Sequence, residues 1–143
     1  MKNTKQIIGS ILITLSVVFS SFTVVAEVAV IVNPNNASAI SEKDIKRIYL
    51  GKKKKFANGS SVIPVNLSAG DSTREAFESN VVGKSASKMK AYWAKLVFSG
   101  KGNPPKEAAN AAEVLSLVAE NPAVIGYIDA SKVTDAVKVV GTF

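Results

Sequence analysis

The chain reads as an α/β protein with three layers, αβα, around a mainly parallel sheet of about four to five strands. Two observations predict this class. Short β-branched apolar runs, Glu27–Val32, Val62–Val65, Ala123–Ile128 and Val137–Val140, alternate with segments whose apolar residues recur at helical spacing. Turn-forming clusters separate them: Asn33-Pro34-Asn35-Asn36, Asn58-Gly59, Lys101 to Pro105, and Asn121-Pro122.

The N-terminal stretch is a targeting pattern rather than a fold element. Lys2 and Lys5 precede the apolar run Ile11 to Phe19, and Val24-Val25-Ala26 ends it with a small residue at the cleavage position. This is the three-part form of a secretory signal peptide, residues 1–26, with the cut expected after Ala26 and a periplasmic destination. The other reading is an N-terminal membrane anchor, but Ser and Thr interrupt the run and it falls short of the ~20 residues a span needs. The chain has no Cys, so it offers no thiol for a lipid and no disulfide framework. Residues 27–143 form a single domain large enough to bury its own core. They carry 16 basic against 11 acidic side chains, a net +5 that suits an anionic partner. Nucleic acid is not expected outside the cytoplasm.

Taken in order, Glu27–Val32 is nearly continuous in apolarity and predicts a strand buried on both faces. Ser41 is placed to cap a short helix with Ile45, Ile48 and Tyr49 on its apolar side, and Gly51 to end it. Lys52 to Lys55 is an unbroken basic run closed by Phe56. It is either a collar that attracts anions or a membrane surface, or a solvated loop held open by like charges. In the second strand, Pro64 requires an edge or a nitrogen turned away from a neighbour.

The segment Asn66 to Phe77 then runs from strand through a polar loop into a helix start. The first N–H groups of a helix lack partners within it and lie at the positive end of its dipole, so such a loop is a candidate anion site. Ser72 and Glu75 have capping-box spacing, which predicts Ser72 as N-cap of a helix ending near Gly83. A longer helix starts at Ser85 or Ser87, with Met89, Tyr92, Trp93, Leu96 and Val97 at helical spacing and an end near Gly100; its aromatic pair belongs to the core. Pro104 or Pro105 suits the first position of an Ala-rich helix carrying Val114, Leu115, Leu117 and Val118. In the next strand, Gly126 implies close backbone approach.

Val30 to Asn35, Ile48 to Lys52, Gly70 to Phe77 and Asn121 to Tyr127, with a weaker fifth stretch at Phe98 to Asn103, together resemble the periplasmic phosphate-binding proteins of ABC transporters. These belong to the type II solute-binding class. The resemblance follows the family's order across nearly the whole of residues 27–143. It implies the fold of one lobe of a normally two-lobed protein, the lobe inserted within the chain of the other. It also implies that the ligand is phosphate or a similar small oxyanion, and that Gly70, Asp71, Ser72, Thr73 and Arg74 form the binding loop. In the family this loop reads Gly-Ser-Gly-Thr, often followed by Arg. Gly70, Thr73 and Arg74 match, while Asp71 stands for Ser and Ser72 for the second Gly. Where some members carry an Arg before the loop, this chain has Asn66 and Leu67.

Asp71 admits two opposed roles. Its carboxylate can accept a hydrogen bond from a protonated phosphate, or it can occupy the helix end itself and repel a dianion. Two functions follow. The first is an exported domain that binds phosphate for uptake or sensing, working with an ABC transporter permease, a sensor kinase or a second subunit that covers the open site. The alternative is a protein-interaction or sensory module derived from a solute-binding lobe, with a weak or lost ligand site. An enzyme is disfavoured: the chain lacks His and Cys, hence the commonest general base, the thiol nucleophile and typical zinc ligands, and no cofactor is expected. Ser85-Ala86-Ser87-Lys88 has the spacing of a Ser-Lys nucleophile pair but reads as a helix cap and an exposed lysine.

Overall fold

The structure, a computed structural model, describes residues 26–143; the signal peptide expected over residues 1–26 lies outside the described residues but for Ala26. Five strands form one sheet in the order β3-β2-β4-β1-β5. They are β1 (Val28–Val32), β2 (Ile63–Leu67), β3 (Lys106–Ala108), β4 (Val124–Asp129) and β5 (Lys138–Thr142). The helices are α1 (Glu42–Tyr49), α2 (Ser72–Phe77), α3 (Ala86–Phe98) and α4 (Ala111–Glu120). A widened π turn, Glu78–Val82, continues α2.

The sheet is mixed. β2 pairs in parallel with β3 and β4, whereas β1 is antiparallel to both β4 and β5. β2 to β5 therefore run one way and β1 runs against them. β1 is buried along its whole length, as its apolar run requires, and such a run is equally at home in either orientation.

Three layers follow from alternation along β4. A Cβ on Gly126 would meet Val114 Cγ1 at 2.5 Å and Val118 Cγ2 at 3.3 Å, so this face of the sheet carries α4. Tyr127 points the opposite way and stacks on Phe77 of α2, with ring centroids 3.9 Å apart and planes 7° apart. Tyr49 of α1 meets both rings edge-on, at 4.6 Å from Phe77 and 5.6 Å from Tyr127. α3 packs outside this second layer through Met89 and Trp93, and the Trp93 ring lies where a side chain on Gly51 would have to go.

Local chemistry sets most boundaries. Ser41 accepts from Asp44 N while Asp44 reaches back to Ser41 N, a complete capping box for α1. Ser85 caps α3, and Lys88 beyond it is exposed. Asn33 does more than turn the chain after β1: its amide donates to the carbonyls of Val118 and Ala119 and satisfies the end of α4. Ile63 N–H donates to the Ala123 carbonyl just before β4, so the Pro64 nitrogen faces the other side, where pairing with β3 starts only at Val65. The basic run is not an open loop. Lys54 accepts from Val62 N, Lys55 bridges Ser61, and Lys53 pairs with Asp44 at 2.6 Å, which leaves Lys52, Lys54 and Lys55 exposed.

The structure corrects two expectations here. Residues 106–108, expected within the start of the Ala-rich helix, form β3, and α4 begins later with Asn110 as its N-cap. The cap of α2 is Asp71 and not Ser72, which is instead the first helical residue. A carboxylate is the stronger acceptor at the positive end of a helix, so it takes the position from the neighbouring hydroxyl.

Gly126→Ala should overpack the interface between α4 and β4 and cost about 1–3 kcal/mol, read as a lower urea midpoint with an unchanged slope. Wild-type stability in that variant would contradict the close approach.

Candidate functional site

The loop at the end of β2 is held from beneath by the aromatic cluster and from the side by Arg74. Tyr127 accepts from Leu67 N–H at 3.3 Å and donates to Asn66 Oδ1 at 3.1 Å, which fixes the last residues of the strand. Tyr49 donates within the pair of carbonyls Val65 and Ile125, at 3.0 and 3.1 Å, between β2 and β4. Burial pushes both phenols above their ordinary pKa, so they stay protonated donors at neutral pH. Asn66, on the approach to the loop, is thus a buried partner of Tyr127.

Gly70 turns the chain with φ +85°, and Asp71 follows with extended backbone. Asp71 Oδ1 accepts from Thr73 N at 2.8 Å and from Arg74 N at 3.3 Å. These are the donors that an anion at the helix start would use, and the protein's own carboxylate holds them. Ser72 is exposed, Thr73 is buried, and Asp71 lies half-buried between loop and helix.

Arg74 is equally occupied. Its Nε donates to Glu78 at 2.9 Å, and its Nη1 donates to Glu107 at 2.6 Å and to the Leu67 carbonyl at 2.8 Å. Burial opposes the Arg74 charge, but the ion pairs with Glu107 and Glu78 outweigh it and hold the guanidinium above its ordinary pKa. Glu78 is only 2% exposed, so its partner is an energetic requirement. Sequence reasoning missed both acidic partners. The spacing from Arg74 to Glu78, four residues, was the available signal for one. Glu107 lies on the unforeseen strand β3 and had none.

Beside the loop is a cavity of about 440 Å³ whose walls include Gly70, Arg74, Glu75, Glu78, Lys90 and Trp93. Asp71, Ser72 and Thr73 do not line it. The five expected loop residues are adjacent in space; the N–H groups of Thr73 and Arg74 and the Arg74 Nε and Nη1 are bonded internally, and of the five only Gly70 and Arg74 line the cavity. Among the described residues no group of His, Cys, Asp and Glu is arranged to hold a metal ion, and no helix is long and apolar enough to cross a membrane.

Comparison with solved structures identifies the fold. The chain is similar to an ABC-type phosphate transport receptor from Vibrio cholerae, with TM-score 0.63 and 20% identity over 80% of this chain and 46% of that one. A Clostridium perfringens protein assigned as the substrate-binding protein of a phosphate ABC transporter, solved with bound phosphate, gives TM-score 0.62 and 28% identity over 80% and 45%. PstS from Borrelia burgdorferi gives 0.58 and 14% over 80% and 47%. The chain thus spans less than half the length of these proteins, and its fold is that of a single lobe of a phosphate-binding protein of the periplasmic type. No protein-family model and no curated protein sequence matches the chain.

Arg74→Met should strand the Glu78 charge and destabilise the domain by about 3–5 kcal/mol, while adding Glu78→Leu should recover most of the loss. Asp71→Ala should cost about 1 kcal/mol through the lost cap, and Asp71→Ser much less. Chemical denaturation of the four variants checks these values; equal losses for Arg74→Met with and without Glu78→Leu would refute the buried pair.

Proposed function

We propose that this domain is an exported, non-enzymatic module built on a solute-binding lobe, acting in uptake or sensing through protein contact, with a weak or closed ligand site. The observation that carries this reading is the internal use of the helix-start N–H groups and of Arg74. Asp71 takes the N–H groups of Thr73 and Arg74, and Arg74 commits its Nε to Glu78 and its Nη1 to Glu107 and the Leu67 carbonyl. A phosphate dianion at this loop shares it with the Asp71 carboxylate, and the wall of the adjoining cavity carries Glu75 and Glu107. At ~4 Å each such repulsion is worth about 1 kcal/mol in water and about 4 kcal/mol near a protein surface.

A periplasmic location fits the basic start and apolar run at the N-terminus. A transporter permease, a sensor kinase or a second subunit each supplies the surface that a lone lobe lacks. The second reading, a functional half-site for phosphate or a similar oxyanion, is favoured by the phosphate bound in the Clostridium perfringens neighbour and by the match at Gly70, Thr73 and Arg74.

Calorimetric titration with phosphate, sulfate and a neutral control separates the two. Wild-type protein should give no heat and no thermal shift at millimolar phosphate, and Asp71→Ser should gain measurable affinity. Micromolar phosphate binding by the wild type, lost in Asp71→Ser, would instead establish Asp71 as a reader of the protonated ligand.

A further inference from the structure

We propose that the outward face of α3 is a docking strip for an acidic helical segment of a partner protein. This rests on the interaction reading above and names the chemistry of its partner. The first support is composition: between Glu78 and Glu107 the chain has no acidic residue but lysines at 84, 88, 90, 95, 101 and 106. α3 lies wholly within this stretch.

α3 has two faces. Met89, Tyr92, Trp93 and Leu96 face the protein. Ser87, Ala91, Ala94 and Phe98, at i, i+4, i+7 and i+11, fall on one line along the opposite side, and all four are exposed. Phe98 is 95% exposed at the end of that line, with Val97 at 49% beside it. Single exposed apolar residues are ordinary on a protein surface. This one terminates an aligned strip with two alanines along it and lysines on its flanks.

Helical geometry puts Lys88 and Lys95 along one flank of the strip and Lys90 along the other. None of the three takes part in an ion pair among the described residues, whereas Lys84 leans over the Tyr92 ring at 5.8 Å. The strip is therefore a line of small side chains between lysines without ion-pair partners, ending in an exposed aromatic ring. An acidic helix complements it: alanines let two helix axes approach to about 8 Å, carboxylates reach the lysines on both flanks, and Phe98 enters an apolar socket.

Other occupants fit less well. A second copy would set lysine flank against lysine flank in a chain whose residues 27–143 already carry a net +5. A membrane gains little from alanines, since interfacial binding scales with buried apolar area and only Phe98 and Val97 supply it here.

The test uses the isotope-labelled domain and two synthetic helical peptides with the same Leu-Ala stripe, one flanked by Glu and one by Lys. The Glu peptide should shift the amides of Ala91, Ala94 and Phe98, weaken on going to high salt, and lose about tenfold in affinity against Phe98→Ala. Lys88→Glu combined with Lys95→Glu should abolish it. Shifts confined to other faces, equal binding of the Lys peptide, no binding, or Phe98-dependent sedimentation with phosphatidylglycerol vesicles would each overturn the proposal. A photo-crosslinking residue placed at 98 and, separately, at exposed position 139 in producing cells distinguishes the two levels of failure. Protein adducts from 139 and not from 98 would overturn the strip and keep the interaction reading; adducts from neither would overturn both.

Discussion

The buried carboxylate of Glu78 is the constraint on which the site depends. An unpaired charge in a protein interior is too costly to keep, so its position commits Arg74 to it. Once Arg74 is held, its Nη1 is brought to the Leu67 carbonyl and to Glu107, and one guanidinium ties the end of β2, the edge strand β3 and the turn after α2. The widened turn from Glu78 to Val82 keeps Val81 and Val82 in the core and closes at Gly83, whose φ of +77° few other residues adopt. A residue pair that looks like part of an anion site thus behaves as a structural staple.

The aromatic cluster does the same work from the opposite direction. Phe77, Tyr127 and Tyr49 bury α1 and α2 against one face of the sheet, and the two phenol groups direct their hydrogen bonds to backbone and Asn66 at the end of β2. The loop from Ser68 to Asp71 therefore spans two fixed points. In a site built to receive an anion, that rigidity would present empty donors to solvent. Here the same rigidity holds the Thr73 and Arg74 N–H groups already bonded to Asp71.

Much of the fold was legible because its boundaries rest on local chemistry. Ser41 and Ser85 as caps, Gly51 and Gly100 after helix ends, Asn121-Pro122 after α4, and Gly126 under Val114 each state a geometric need within a few residues. The unseen parts are those that only tertiary contact decides. β3 is three residues long, two of them charged and exposed, and nothing but pairing with β2 makes it a strand. The reversal of β1 is silent because a buried apolar run reads alike in both directions. At the site, Ser72 and Asp71 are both good caps, and choosing between them turns on the charge at a helix end whose exact start the sequence leaves open.

Glu78 also bears on how an oxyanion could use this loop. Asp71 is only the outer obstacle, since its Oδ1 holds two N–H groups that a neutral side chain would release in part. For phosphate to take the Arg74 Nε, Glu78 would have to lose its partner in the interior, a change worth about 3–5 kcal/mol, or roughly two to four orders of magnitude in affinity. Replacing Asp71 removes repulsion at the mouth and leaves this inner cost untouched. The loop's chemistry is thus set by a residue that lies outside the phosphate-loop pattern altogether.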